Sequence, residues 1–458
     1  MENKHTGNLL WGSGYSAIGQ NAVDFCSSGD WEADLQLLPA ELAVSKAHVQ
    51  MLASQNIISN EEKESLLTAI SKLEKEGAKL LKPAEDIHTS VYNYLSENSK
   101  AGNFRCGLSR NDQVAASEAI FLNQKASEFK TSLLKLAKAL AEKAKETSNS
   151  IMPGYTHHQQ ALPTTLGHLL LAFAYSFKRD AQKFDQWLEL HSSCPLGAGT
   201  GFSTTFPINS AQTADLLGFS KAYENSLDAI ASRWELEADF AYCLASTMTH
   251  LSILAQTLML FSTSEFDYIQ LSEKHTTGSS AMPQKKNPDV LEAIKAKTTL
   301  AHSSLLSILS LSKSNLAGYN KDSQFGKQEL LKAISHFLPS LAIMPEVIAE
   351  LKPNTEKMLS SLQPSTTSLA VAEQLTLEYK IPFNQSRKTI EKALAKGSGE
   401  LKLEVLNSEL KQFGVSVQAS ELSQCKDANW VVEQTTASGP NPSQILKNSE
   451  KLLAGLSK

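Results

Sequence analysis

Apolar residues recur through the middle of this chain at spacings of three and four, with polar residues between them. Phe129, Leu133, Leu136, Leu140 and Ala144 form one stripe, interleaved with lysines and glutamates. Phe240, Cys243, Leu244, Met248, Leu251, Leu254 and Leu258 form a second. That period puts each set on one face of an α-helix packed against a core. Tyr242, Ile253, Ala255 and Met259 add apolar residues around the second stripe, so its helix is predicted to be buried on several sides. The helix breakers agree: residues 108–152, 168–194, 219–277 and 289–317 contain neither Gly nor Pro. Ordinary helices run about 11–12 residues, so these stretches predict a bundle of very long ones.

The flanks read differently. Before about residue 112 the patterns are shorter, as where Asn60-Glu61-Glu62 leads into Leu66, Leu67, Ile70 and Leu73. After about 360, Gly397, Gly399, Gly414 and Ser438-Gly439-Pro440-Asn441-Pro442 interrupt the pattern. The expectation is a mainly α protein in three parts: an N-terminal helical domain over 1–112, a central long-helix bundle over 113–360, and a small C-terminal helical domain over 361–458.

Composition narrows the function classes. With 22 glycines and 15 prolines in 458 residues, turn formers fall below the roughly 12% of average proteins, which disfavours an all-β fold. The net charge of -5, from 43 basic and 48 acidic residues, lacks the basic excess of a nucleic-acid binder. Cys26, Cys106, Cys194, Cys243 and Cys425 form no CxxC pair, which fits a reducing compartment and no cysteine zinc site. The N-terminus lacks a secretory apolar stretch, and no 18-residue window is free of polar side chains, so no membrane span is expected. A cytoplasmic protein follows as the expectation.

If long helices form the scaffold, chemistry belongs in the polar segments that join them. Residues 276–289 run Thr-Thr-Gly-Ser-Ser-Ala-Met-Pro-Gln-Lys-Lys-Asn-Pro-Asp. Here Asn287 suits an N-cap and Pro288 the first helical position. Backbone N–H groups with Lys285 and Lys286 would suit an anion; the plain alternative is a polar turn with solvated lysines. Pro153-Gly154-Tyr155-Thr156-His157-His158-Gln159-Gln160 offers a histidine for acid–base work. Ser109-Arg110-Asn111-Asp112-Gln113 offers a capped helix start and a carboxylate-binding arginine. Gly318-Tyr319-Asn320-Lys321-Asp322 leads to Gln324 and Lys327. No HExxH, GxxxxGK[ST] or GxSxG motif is present, which leaves side-chain chemistry on an anionic substrate, without metal or cofactor.

Gly278-Ser279-Ser280-Ala281-Met282-Pro283-Gln284-Lys285-Lys286-Asn287-Pro288 resembles the GSSxMPxKxNP pattern of the fumarase/aspartase superfamily, in its argininosuccinate lyase form. The likeness continues through Leu10-Trp11-Gly12, Glu85-Asp86-Ile87-His88-Thr89, the 109–113 and 153–157 segments, Asn225-Ser226-Leu227-Asp228, Met248-Thr249-His250-Leu251-Ser252 and Tyr319-Asn320-Lys321-Asp322. It implies a three-domain fold and reversible β-elimination of argininosuccinate to arginine and fumarate. It further implies a homotetramer in which three subunits build each site. By motif match Ser279 is the base, with Lys285 and Asn287 holding the carboxylate that gathers charge. His157 is the acid, oriented by Glu292. Ser109, Arg110, Asn111, Thr156 and Gln159 resemble ligands of the fumarate half, and Tyr319, Gln324 and Lys327 those of the amino-acid half. Asp86 and His88 match a further site motif. A same-mechanism lyase for another N-substituted aspartate, and a non-catalytic structural homologue, are the alternatives.

The chain also departs from the pattern. Arg105-Cys106-Gly107-Leu108 replaces H-[ST]-G-R, so Leu108 stands where relatives carry an arginine, and Arg105 is a cation that could compensate. Gln324-Phe325-Gly326-Lys327 replaces Gln-Glu-Asp-Lys, and Gln160-Ala161-Leu162-Pro163 replaces R-A-Q-P. Pro382-Phe383-Asn384-Gln385-Ser386-Arg387 lacks the usual arginine and histidines.

Overall fold

The computed structural model describes residues 20–27 and 29–456; Leu10-Trp11-Gly12 lies outside them. The protein is mainly α. Short helices come first: after the helix Gln20–Ser27 come α1 (Asp30–Asp34), α2 (Leu38–Ser54), α3 (Asn60–Glu76) and α4 (Ile87–Asn98). The sequence sets their ends. Ser59 Oγ accepts the Glu62 N–H at 3.2 Å while the Glu62 carboxylate accepts the Ser59 N–H at 2.8 Å, a reciprocal cap that starts α3. Leu66, Ile70 and Leu73 then bury one face.

The long helices follow. α5 (Arg110–Glu146) has 37 residues, about 55 Å at 1.5 Å per residue. The strands β1 (Ile151–Thr156) and β2 (Gln159–Thr165) precede α6 (Leu166–Leu190). α7 (Arg233–Phe261), a short strand pair β3 (Thr277–Gly278) and β4 (Lys286–Asn287), α8 (Asp289–Ser312) and α9 (Asp322–Glu350) complete the set. Both predicted stripes are buried. The breaker-free stretch 219–277 is not one helix, however: it holds Ser226–Ala231, α7 and an irregular segment. Conversely, α9 contains Gly326, Pro339 and Pro345, so a search for breaker-free runs misses it. An interior proline costs a helix about 3 kcal/mol; here Leu330, Ile334, Phe337, Leu341, Met344 and Ile348 are buried along the same helix and offset it.

The chain divides into two compact units. The first comprises the described residues up to Thr131, with Asp180–Met248 and Lys297–Pro339. Its core includes Phe129 stacked on Phe184 at 5.5 Å, and Phe240 edge-on to Phe184 and Trp187 at 5.5 and 5.1 Å. The second comprises Ser132–Arg179, Thr249–Ala296 and Ser340–Lys458. In it, helices α10 (Ser368–Tyr379), α11 (Phe383–Lys396) and α12 (Leu403–Leu410) share a small core of Leu375, Ile390, Leu406 and Leu410.

One expectation about apolar surface is revised in part. Tyr242 and Ile253 on α7 remain 54% and 52% exposed, so that helix is not buried on every side within one chain. α7 and α9 also reach the length and hydropathy of a membrane span, with half of each apolar window buried inside the protein. The wholly buried Arg233 and Glu237 mark α7 as a core helix of a bundle.

Candidate active site

The expected site residues fall into two groups, one in each unit. In the second unit, the segment expected to be a loop over 153–160 is an antiparallel hairpin. Thr156 pairs with Gln159, and a bulge lies between Pro153 and Tyr155. Its two-residue turn is His157-His158, with φ of +54° and +59°. Two successive left-handed residues match the turn whose twist suits a hairpin, a place where Asn and Gly are usual. Two histidines there are strained, and such strain concentrates at functional positions. Both are exposed and line a cavity of about 630 Å³ with Tyr155, His168, Phe261 and Phe266.

The same unit holds the Ser279 loop. Thr277 pairs with Asn287 and Gly278 with Lys286, so β3 and β4 clamp the loop at its base. Asn287 Nδ2 donates to the Gly278 carbonyl at 3.3 Å. Asn287 is therefore not the N-cap expected of it. The Pro288 carbonyl accepts from Leu291 and Glu292 at 2.9 and 3.1 Å, and α8 starts one residue later than predicted, because the Asn287 side chain is used across the strand pair. Ser279 Oγ accepts the N–H groups of Met282 and Ala281 at 3.1 and 3.3 Å. Two donors on one hydroxyl oxygen favour its deprotonated form. Lys285 and Glu292 are exposed. His157 and Glu292 are not hydrogen-bonded to each other in the single chain.

The first unit carries the other group. Asp86 caps α4 by accepting the Thr89 N–H at 2.7 Å. Arg110 lies 2.7 Å from Glu85 and 3.2 Å from Asp86. Burial opposes charge on Arg110, yet Asp86 and Glu85 outweigh it and raise its pKa. His88 is wholly buried, with Nδ1 2.6 Å from Glu41. Burial disfavours its charge too, and Glu41 and Asp86 outweigh that and push its pKa up. The structure thus gives Asp86 and His88 internal partners. Ser109 and Asn111 sit at the start of α5, where the Asn111 N–H donates to Ser109 Oγ at 3.3 Å.

Lys327 is 1% exposed, with Nζ 2.5 Å from Asp34 and 3.9 Å from Asp30. Burial opposes its charge, and the two aspartates more than restore it. Gln324 is buried with Oε1 unpartnered. Burial raises the Tyr319 phenol, against the pull of Arg233, Arg110 and Lys327. Leu108 is buried. The Arg105 guanidinium lies 5.5 Å from the Tyr92 ring centroid, with Nη1 buried and unpartnered.

Sequence reading missed two features here. Asp112 accepts N–H groups from Ser109, Gly197 and Gly199 at 2.9, 3.0 and 2.8 Å, tying the start of α5 to a distant turn. Burial nevertheless pushes its carboxyl up to about 7. The second is a buried ionic cluster: Arg233 lies 2.8 Å from Glu118 and 3.3 Å from Glu237. The i,i+4 spacing of Arg233 and Glu237 was visible; their burial was not.

The chain matches the lyase family over residues 28–301. It is 33% identical over 450 residues to the argininosuccinate lyase of Carboxydothermus hydrogenoformans, covering 96% of this chain and 97% of that protein. It is 34% identical over 451 residues to that of Methanothrix thermoacetophila, covering 95% and 91%. The crystal structure of EDDS lyase in complex with formate superposes with a TM-score of 0.81 at 25% identity, covering 92% of this chain and 86% of that one. A class II fumarase from Schistosoma mansoni shares the fold, with a TM-score of 0.73 at 17% identity over 88% and 91% of the two chains. Fold and relatives define the class: an enzyme of the fumarase/aspartase superfamily. Within it the chain belongs to the lyase family and is a carbon–nitrogen lyase.

Proposed function

We propose that the protein is an argininosuccinate lyase, splitting argininosuccinate reversibly into arginine and fumarate in the cytoplasm. The observation that carries this reading is 33% identity to a curated argininosuccinate lyase along 96% of the chain, with the Ser279 loop in the corresponding form. The three-part division at 112 and 360 belongs to the same reading.

The chemistry needs a base, donors for the developing carboxylate charge, and an acid. Ser279 is the base. A serine hydroxyl is a weak acid, and the Met282 and Ala281 N–H groups already on its oxygen stabilise the alkoxide. Lys285 and Asn287 hold the carboxylate as charge builds on it. His157 gives the leaving guanidinium nitrogen its proton, and Glu292 orients His157. Ser109, Arg110, Asn111, Thr156 and Gln159 bind the fumarate half, and Tyr319, Gln324 and Lys327 the amino-acid half. Asp86 and His88 belong to the substrate side as well, Asp86 paired with Arg110 and His88 with Glu41. The site is completed in a homotetramer, where residues from several subunits meet.

Arg110 and Lys327 are engaged by internal carboxylates, so a substrate with three carboxylates needs further cations. Arg105, with an unpartnered buried nitrogen, supplies one. A second reading, a lyase of the same mechanism for another N-substituted aspartate, draws on Leu108, Phe325 and Gly326 and on the likeness to EDDS lyase.

The test is fumarate release from argininosuccinate, followed by absorbance. Wild type forms fumarate, and Ser279→Ala loses about 10²–10⁴ in kcat, the contribution of a positioned proton-transfer group. An inactive Ser280→Ala beside an active Ser279→Ala would reassign the base.

A further inference from the structure

Gly326 is buried, and a Cβ built on it would lie 2.6 Å from Glu237 Oε2 and 3.6 Å from Glu237 Cδ. The Glu237 carboxyl on α7 thus fills the space that any side chain at 326 on α9 would need. Glu237 and Glu118 are both wholly buried and both pair with Arg233, and Oε1 of each has no hydrogen-bond partner. Two buried carboxyls facing one guanidinium do not both ionise cheaply, so the pair favours holding one proton; burial first, then the Glu118 charge, raises the Glu237 pKa well above its ordinary value. Around it stand Arg233 on α7, Lys327 on α9 and Tyr319 before α9. Lys327 follows Gly326 directly, and its ammonium is held by Asp34 on α1.

We propose that Glu237 is a positioning residue for Lys327. Its carboxyl, paired with Glu118 on Arg233, replaces the acid that the resembling pattern carries at 326 and fixes the first turns of α9 against α7. The pattern Gln-Glu-Asp-Lys and the chain's Gln324-Phe325-Gly326-Lys327 are then two solutions to one packing problem. With the acid on α9, α7 must leave room for it. With the acid on α7, only glycine fits at 326. The arrangement sets where Gln324 and Lys327 meet the leaving half of the substrate, so it acts on specificity. The inference rests on the proposal that these two residues bind that half.

The experiment is an exchange of the acid between helices, read by steady-state kinetics. Gly326→Asp alone forces a carboxylate onto Glu237 and raises KM by about tenfold or more, with a smaller effect on kcat. Glu237→Ala alone raises KM by a similar factor. The double variant Gly326→Asp/Glu237→Ala returns the acid to α9 and brings KM back to within about threefold of wild type. Glu237→Gln, whose amide can donate to Glu118, recovers most of the KM lost in Glu237→Ala. A double variant as poor as the worse single one overturns the inference, as does Glu237→Gln matching Glu237→Ala. Infrared spectroscopy at about pH 9, above the titration of the buried Asp112, reads the pair without substrate: a buried protonated carboxyl band is present in wild type and lost in Glu237→Gln, and its absence from wild type overturns the shared proton. Failure of wild type to cleave argininosuccinate, with that band present, sinks the substrate reading instead.

Discussion

At the scale of single residues, burial decides which charges are free to act. Arg110, Lys327 and Arg233 each have a carboxylate within 3 Å, and breaking such a buried pair from one side is costly. Ser279, His157 and Lys285 lie in or beside exposed turns, where substrate can reach them. Histidine shows the same division. His48 is buried against the Phe104 carbonyl, with Nε2 3.0 Å away. Burial, partly opposed by that carbonyl, lowers its pKa from 6.5 to about 4. The folded pKa lies below the unfolded one, so the unfolded chain binds the proton first. Stability is therefore lost as pH falls from 6.5 towards 4, by about 3 kcal/mol from this group. Urea unfolding across that window should show a shallower pH dependence for His48→Gln than for wild type; equal slopes would show that His48 is not held neutral.

At the scale of elements, the sequence specified helices better than the turns between them. The buried stripes on α5 and α7 were legible because a 3.6-residue period repeats over many turns. α9 was hidden by its two prolines, since packing overrode propensity there. The β1–β2 hairpin was hidden because His157-His158 is not turn chemistry that sequence would offer for left-handed positions. The Ser279 loop was legible by motif, but the role of Asn287 was not: cap and cross-strand donor use the same side chain. Gly167 shows what elements demand of one another. A Cβ there would lie 2.5 Å from the Ala144 carbonyl and 2.9 Å from Ser148 Cα, both backbone atoms at the end of α5. Gly167→Ala should therefore destabilise by about 1–3 kcal/mol, although alanine is the better helix former. A urea midpoint at or above the wild-type value would refute this close approach.

At the scale of the whole molecule, one chain leaves apolar helix faces uncovered. Tyr242 and Ile253 on α7 and Leu300, Leu306 and Leu309 on α8 are 44–66% exposed, and apolar faces of this kind mark association surfaces. The proposed homotetramer covers them and brings catalytic residues from different subunits together. Light scattering at micromolar concentration should report four times the 49.9 kDa chain mass; a stable monomer that is fully active would rule out shared sites.

Leu108, Phe325 and Gly326 depart from the resembling pattern while the Ser279 loop does not, so the choice of substrate separates the two readings. The most direct measurement is kcat/KM of the purified protein for argininosuccinate and for EDDS under one set of conditions. An argininosuccinate lyase should prefer argininosuccinate by at least about a hundredfold, near 3 kcal/mol in transition-state binding. Preference for EDDS, with little fumarate formed from argininosuccinate, would contradict the argininosuccinate lyase reading.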